Sequence, residues 1–268
     1  MPVRLTRTVR FSVNDAGQRA GEPPPTQTKA ANGFAGHPPM RGLGRHYELD
    51  VHARGKVDAI TGYFVNIAEV DSAARRAAIP VIQRACDEGE GDAGAVLVRI
   101  VEAMRGEMDG RFCGARWRLS PTYSLEMEID RMDVVVMRQR FEFAAAHRLH
   151  VASLSAEENR RIFGKCNHPS GHGHNYHVEP AVEVGKGSRF SLADLERITH
   201  ERVVSRYDHT FLNVDAPEFS EDKGVTPSVE NIARACFERL APEIEAAGGR
   251  LREVTVWETE KTSCTYPA

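Results

Sequence analysis

Apolar and polar positions alternate along several short stretches of the chain. Tyr47, Leu49 and Val51 alternate with His46, Glu48 and Asp50, the period of a half-buried strand. Tyr176, Val178, Pro180, Val182 and Val184 repeat the pattern. Pro180 cannot donate to a ladder, so this strand is expected to be an edge or to carry a bulge. The run from Leu251 to Glu258 predicts a last strand with Val254, Val256 and Glu258 on one face, leaving a carboxylate at the end of an apolar stripe. Elsewhere the period is helical. Val229, Ile232, Ala233, Cys236, Phe237 and Leu240 fall on one face of an α-helix, and Leu97, Ile100, Val101, Met104 and Met108 form a matching stripe. Thr226 reads as the cap of the later helix, with Pro227 at its first helical position. Ser191 to Asp194 reads as a capping box opening another helix.

These elements recur. Gly42-Leu-Gly-Arg-His-Tyr47 and Gly171-His-Gly-His-Asn-Tyr176 share Gly-X-Gly-X-X-Tyr, each leads into a strand, and each strand is followed by a helix start. Upstream lie Phe11-Ser-Val-Asn-Asp15 and Phe143-Ala-Ala-Ala-His147, each closing a strand-like run. The pattern predicts two copies of one unit joined near Asp130, residues 1–130 and 131–268, each with strands and helices in the order strand, long loop, strand, helix, helix, strand. The fold class expected is α+β. The proline-rich segment Ala20 to Met40 is expected to be an irregular loop of the first copy, standing where the second has Arg148 to Gly171.

Composition narrows the function classes. The chain has 268 residues, 41% of them hydrophobic and 27% charged, enough apolar material for a packed core or two. Net charge is −3, from 35 basic and 38 acidic residues, without a long block of either sign, so a nucleic-acid surface is not expected. No apolar run approaches the roughly 18 residues of a membrane span. Charges scattered through Met1 to Arg7 argue against a signal peptide. The expectation is a soluble, cytoplasmic protein. Five cysteines without a CxxC pair make a disulfide framework unexpected. Only Cys166 sits in a polar loop, Phe163-Gly-Lys-Cys-Asn-His-Pro-Ser-Gly171.

Chemistry concentrates in the second copy. His172 and His174, at i and i+2 on a strand, project from one side, where an apolar stripe continues. With His147 at the end of another strand they make a three-nitrogen set with one position open, the pattern of a catalytic zinc. An isolated His-Gly-His is more often a polar turn entering a strand. The comparison of copies reverses that preference, because Asp15, Leu43 and Arg45 occupy the aligned positions in the first. The shared fold therefore does not need the histidines. Cys166, beside Lys165 and near such a metal, fits a fourth ligand, a nucleophile or a base. Asp208-His209, Glu230 and Glu258 are individually weak signals; a surface turn or a helix-dipole partner explains each. Ala95 and Ser120 stand near the places of Glu230 and Glu258 in the first copy.

Taken in order, Phe143-x-x-x-His147-Arg-Leu, Phe163-Gly-Lys-Cys166-Asn, Gly171-His172-Gly-His174-Asn-Tyr, Asp208-His209, Ser228-Val-Glu230-Asn and Trp257-Glu258-Thr resemble 6-pyruvoyl-tetrahydropterin synthase and its relatives over residues 132 to 268. The resemblance implies two tandem tunnelling-fold units, each an antiparallel four-stranded sheet with two helices on one face, assembling into an oligomeric barrel, the first copy degenerate. A uricase-like barrel of four units and two separate rings both fit a fused pair. It also implies zinc on His147, His172 and His174, Cys166 as base, Asp208 and His209 as tuning or relay groups across a subunit contact, and Glu258 as anchor of a pterin, with Glu230 and Ser228 in the same pocket. The substrate implied is 7,8-dihydroneopterin triphosphate, a small molecule, with loss of triphosphate making the enzyme a carbon–oxygen lyase in a homo-oligomer. Within the family, 6-carboxytetrahydropterin synthase of queuosine biosynthesis is the rival, although Cys-x5-His-Gly-His leans to the pyruvoyl type. A non-catalytic pterin- or purine-binding scaffold is the alternative of another class. Three features depart from the family pattern: His168 in place of Asn, Phe190-Ser191 before a helix where the first copy keeps Asn66, and the tandem arrangement.

Overall fold

A computed structural model of the chain describes residues 2–19, 32–220 and 224–268. It divides into two compact units, Met1–Val136 and Met137–Ala268. The first unit contains β1 (Val3–Val13), a short turn of helix α1 (Ala16–Arg19), β2 (Arg45–Gly55), α2 (Ile67–Ala73), α3 (Ile79–Asp87), α4 (Ala93–Met104), β3 (Phe112–Arg118) and β4 (Tyr123–Glu128). A strand β5 (Val134–Gln139) spans the boundary. The second contains β6 (Phe141–His147), α5 (Ala156–Phe163), β7 (His172–Gly185), α6 (Leu192–Thr199), α7 (Ser205–Tyr207), β8 (Thr210–Phe211), α8 (Leu212–Asp215), α9 (Val229–Ala246), β9 (Arg250–Thr259) and β10 (Thr262–Tyr266).

In the first unit β1, β2, β3 and β4 pair in that order, all antiparallel. Its sheet is two-faced because strand side chains alternate. Val9, Phe11, Leu49, Val51, Ala115, Trp117, Leu125 and Met127 are buried together with Val70, Ile79, Ile82, Leu97, Ile100 and Met104 of the helices. Each of the larger aliphatic and Phe side chains among them contributes about 1.5–3 kcal/mol on leaving water. The other face is polar, with cross-strand pairs Arg10–Glu48, Thr8–Asp50 and Thr6–His52. Met108 is buried as expected, but in a separate 3-10 turn after α4. Residues 20–31 of the expected proline-rich loop lie outside the described residues, and 32–40 form turns without regular structure.

The second unit repeats the plan. β7 pairs antiparallel with β6 on one side and β9 on the other, β10 pairs with β9, and the two-residue β8 joins β6 in parallel. Thus β7 is not an edge; the irregularity expected near Pro180 is a register shift between Ala181 and Val182. In both units the first long helix starts at a capped residue, Asn66 or Ser191, and passes through a five-residue π-turn, Ala74–Ala78 or His200–Val204. Well under 1% of residues adopt that geometry, so its presence at the same place twice points to duplication. Ser191 and Asp194 form the expected capping box. The cap of α9 differs from expectation: Ser228, rather than Thr226, accepts from the Asn231 amide, and Pro227 precedes the helix. Serine is the stronger N-cap residue, and the helix starts two residues later than expected.

No helix among the described residues is long and apolar enough to cross a membrane.

Candidate metal centre

The β6–β7 ladder builds the centre. His147 lies opposite His172, and Ala145 opposite His174, so the two histidines of β7 project on the side that His147 shares. Ligand nitrogens of His147, His172 and His174 all lie within 4.8 Å of one another. Nε2 of His147 is 3.1 Å from Nε2 of His172. Two nitrogen–metal bonds of about 2.0–2.1 Å at a tetrahedral angle separate the nitrogens by about 3.3 Å. The observed spacing is therefore that of ligands already gathered.

The chemistry of the donors agrees. His147 is fully buried, and its Nδ1 lies 2.7 Å from the carbonyl oxygen of Pro227 and 3.3 Å from the hydroxyl of Tyr176. A carbonyl only accepts, so Nδ1 carries the proton and Nε2 keeps its lone pair for the cluster. Burial above all, then the neighbouring His172 and His174, pushes the His147 pKa down to about 4, although the Pro227 carbonyl works in the other direction. Burial and His174 likewise lower His172, against the charge of Glu258. The ring is thus neutral where a metal needs it. Nδ1 of His172 and Nε2 of His174 are buried without a hydrogen-bond partner. Crowded and partly orphaned imidazole nitrogens fit a bound divalent ion.

Gly171 sets the approach to β7. Its φ is +67°, and a Cβ there would meet the Phe211 ring at 2.8 Å and the His147 carbonyl oxygen at 2.9 Å. Only glycine both adopts that conformation cheaply and leaves the room.

The remaining expected residues are distributed around this cluster. Glu258 is at its rim, with Oε1 3.4 Å from Nε2 of His147 and 3.8 Å from Nε2 of His174. Cys166 sits half-buried in a 3-10 turn, Gly164–Asn167, whose Cys166 carbonyl accepts the Leu149 amide two residues past His147. Its thiol is not in the three-histidine group. The buried Tyr176 phenol is pushed far up, by burial first and then by the charge of Glu258.

Asp208 and His209 stand together on the loop into β8. Asp208 accepts the Ala144 amide at 2.8 Å and pairs at 2.8 Å with Nδ1 of His209, whose φ is +56° and whose side chain is 84% exposed. A cleft of about 490 Å³ is lined by His174 and His209 together with Thr210, Asn175, Gly173 and Ala144 to Ala146. Glu230 lies exposed in the first turn of α9, its carboxyl held below the usual range by the Ser228 hydroxyl and its own amide against slight burial. No hydrogen bond or ion pair joins Glu230 or Ser228 to the histidines among the described residues; the link from this helix start is Pro227. Tyr176 shared the parity of His172 and His174, which could have marked it; a backbone carbonyl such as that of Pro227 leaves no mark in a sequence.

Ladder register also places the counterparts in the first unit. Val13 is opposite Arg45 as Ala145 is opposite His174, so Arg45 matches His174 and Asp15 matches His147. Arg118 opposite Glu48 matches Trp257 opposite His177, which puts Leu119, rather than Ser120, at the place of Glu258. Counted from the N-caps Asp92 and Ser228, Glu230 corresponds to Gly94, one residue before Ala95. Neither correction introduces a carboxylate.

With that geometry in view, residues 136–268 match the family model described as PTPS, 6-pyruvoyl tetrahydropterin synthase. Human 6-pyruvoyl tetrahydrobiopterin synthase is 37% identical over 132 residues, which cover 48% of this chain and 88% of the human protein. The chain belongs to the 6-pyruvoyl tetrahydropterin synthase family. A Dictyostelium discoideum protein of the human one's name is 35% identical over 136 residues, covering 49% of this chain and 95% of its own. The solved 6-pyruvoyl tetrahydropterin synthase of Caenorhabditis elegans shares 36% identity, covers 50% of this chain and 96% of that one, and has a TM-score of 0.46. The family model's match, residues 136–268, falls on the second unit but for its first residue, and that unit carries the histidine cluster.

Proposed function

We propose that the second unit is a zinc-dependent 6-pyruvoyl-tetrahydropterin synthase that takes 7,8-dihydroneopterin triphosphate and releases triphosphate, and that the first unit is a degenerate copy serving as scaffold. The observation that carries this is the three-histidine cluster, its ligand nitrogens within 4.8 Å of one another and its deepest ring, His147, held neutral by burial, in a chain whose relatives are named for that reaction. His147, His172 and His174 would hold the metal. Bound there, zinc would polarise the side-chain oxygens of the substrate and make the hydrogens on the adjoining carbons more acidic.

The chain's own groups would do the rest. Cys166, outside the ligand group and in the turn whose carbonyl accepts the Leu149 amide two residues past His147, suits a base that takes and returns those protons. The Pro227 carbonyl and Tyr176 hydroxyl hold the His147 ring in one orientation. Glu258 would receive the amino and ring N–H groups of the pterin, a bidentate pairing that suits a carboxylate. Glu230 and Ser228 would border the same pocket. Asp208 holds His209 by hydrogen bond, and the imidazole is exposed where a second chain could approach. We read this dyad as completing the proton relay for a neighbouring subunit in a homo-oligomeric barrel.

The test is a product analysis. Zinc-loaded protein is incubated with 7,8-dihydroneopterin triphosphate, and pterins and free triphosphate are followed by mass spectrometry. A 6-pyruvoyl product with triphosphate release is expected. A 6-carboxy product with acetaldehyde would assign the queuosine branch, and no turnover by metal-replete protein would leave a binding scaffold.

A further inference from the structure

The connection from β6 to β7 folds around a second cleft, of about 410 Å³, lined by Arg148, His150, Arg160, Lys165 and His168 with Ala156, Gly164, Asn167 and Pro169. Among the described residues no carboxylate lines it. Elsewhere in this net-acidic chain many arginines stand against carboxylates, as Arg7 does at Asp71 and Arg250 at Glu183. Arg160 and Lys165 are exposed and have no carboxylate partner among the described residues.

The two histidines are turned into donors. The Asn167 side-chain amide donates to the Leu149 carbonyl at 2.7 Å and to Nδ1 of His150 at 3.0 Å. The Ser170 amide donates to Nδ1 of His168 at 3.2 Å. Each ring accepts at Nδ1, so in its neutral form its proton is on Nε2. Side chains lining the cleft thus offer two imidazole N–H groups, the Lys165 ammonium and the Arg160 guanidinium, while Arg148 already donates from Nε to the Asn167 carbonyl at 3.3 Å. Such a set suits a chain of phosphates. The cleft also adjoins the metal centre along the chain, because Arg148 follows His147 and Lys165 precedes Cys166, each one Cα step of about 3.8 Å away.

We propose that this cleft binds the triphosphate arm of the substrate, with Arg160 and Lys165 as its specificity-determining cations. The assignment to a substrate arm rests on the synthase reading above; the cleft's preference for an oligophosphate does not.

Inorganic triphosphate titrated calorimetrically into the zinc-loaded full chain is the direct probe. Binding is expected, weakening with added salt, and Arg160→Ala and Lys165→Ala should each weaken it about tenfold, the loss of one charge-assisted contact. Arg160→Lys should recover part of the loss. Both residues are exposed, so the variants should keep the wild-type circular dichroism and melting profile. Unphosphorylated 7,8-dihydroneopterin should bind wild type and variants alike. Inorganic triphosphate should compete with the triphosphate substrate and leave dihydroneopterin in place. Unchanged triphosphate affinity in both alanine variants would overturn the proposal. So would cation-dependent binding that fails to compete with the substrate, which would mark a site for another oligophosphate such as a free nucleotide. Cation-dependent binding and competition without any turnover would support the cleft and sink the synthase reading instead.

Discussion

The carbonyl oxygen of Pro227 accepts a hydrogen bond from Nδ1 of His147 at 2.7 Å. The residue before the cap of α9 thereby fixes which nitrogen of the deepest histidine faces the cluster. Tyr176 offers a longer contact to the same nitrogen, 3.3 Å. Tyr176→Phe should therefore weaken zinc binding by no more than about tenfold, at the low end for outer-shell partners, when measured by competition with a chromophoric chelator. A loss beyond a hundredfold would show that the phenol, and not the carbonyl, sets the ring.

Gly171→Ala is expected to cost at least about 1–2 kcal/mol of stability, from the left-handed backbone alone, with more from the contacts at Phe211 and His147. Because the added methyl pushes on the strand that carries His172, zinc affinity should fall with it. Thermal unfolding of apo and zinc-loaded variant separates the two effects. A variant as stable as wild type in both forms would contradict the close approach.

Cys166→Ala should keep its zinc and lose turnover by a hundredfold or more, the usual contribution of a general base. Loss of the metal in this variant would make the thiol a ligand. Metal content and rate measured on one preparation decide between them.

A cross-subunit role for Asp208 and His209 has its own consequence. Cys166→Ala and His209→Ala chains, each inactive alone, should regain part of the activity when co-expressed as mixed oligomers. Activity no higher than the two homo-oligomers would place the dyad in service of its own chain.

Away from the site, Glu218 gathers Arg206, Tyr207 and Arg239 at 2.7–3.1 Å. Burial raises its pKa, but the Arg206 and Tyr207 hydrogen bonds and the Arg239 charge outweigh it and hold the carboxyl at about 2, against an ordinary 4.5. A depressed carboxylate contributes stability that is whole above pH 4.5 and is lost as pH falls towards 2. Glu218→Gln should cost about 2 kcal/mol at neutral pH and flatten the stability curve across that window. Urea unfolding at stepped pH measures it; parallel curves for variant and wild type would contradict the assignment.

Much of the site was legible because strand parity and ladder register are readable from spacing. His-Gly-His on one strand and His147 ending another had to converge once the strands paired, and Glu258 had to close the apolar stripe of β9. The repeat was legible for the same reason, although its counterparts to Glu230 and Glu258 shifted by one residue once caps and ladders were seen. Three things were not legible. Pro227 acts through its carbonyl, which every residue possesses. The cap of α9 moved to Ser228 because two hydroxyls compete within three positions and packing chooses. The cationic cleft depends on how a loop of 24 residues folds back, Leu149 onto Cys166 and Asn167 onto His150, and no periodicity encodes that.

The central claim is that His147, His172 and His174 hold one metal ion and that the first unit holds none. Metal content of the full chain, purified without chelator and measured by plasma mass spectrometry, tests it most directly. One equivalent of zinc per chain is predicted, falling to near zero in His172→Ala while the circular dichroism is kept. A folded wild-type chain without metal, two equivalents per chain, or zinc retained in His172→Ala would contradict it.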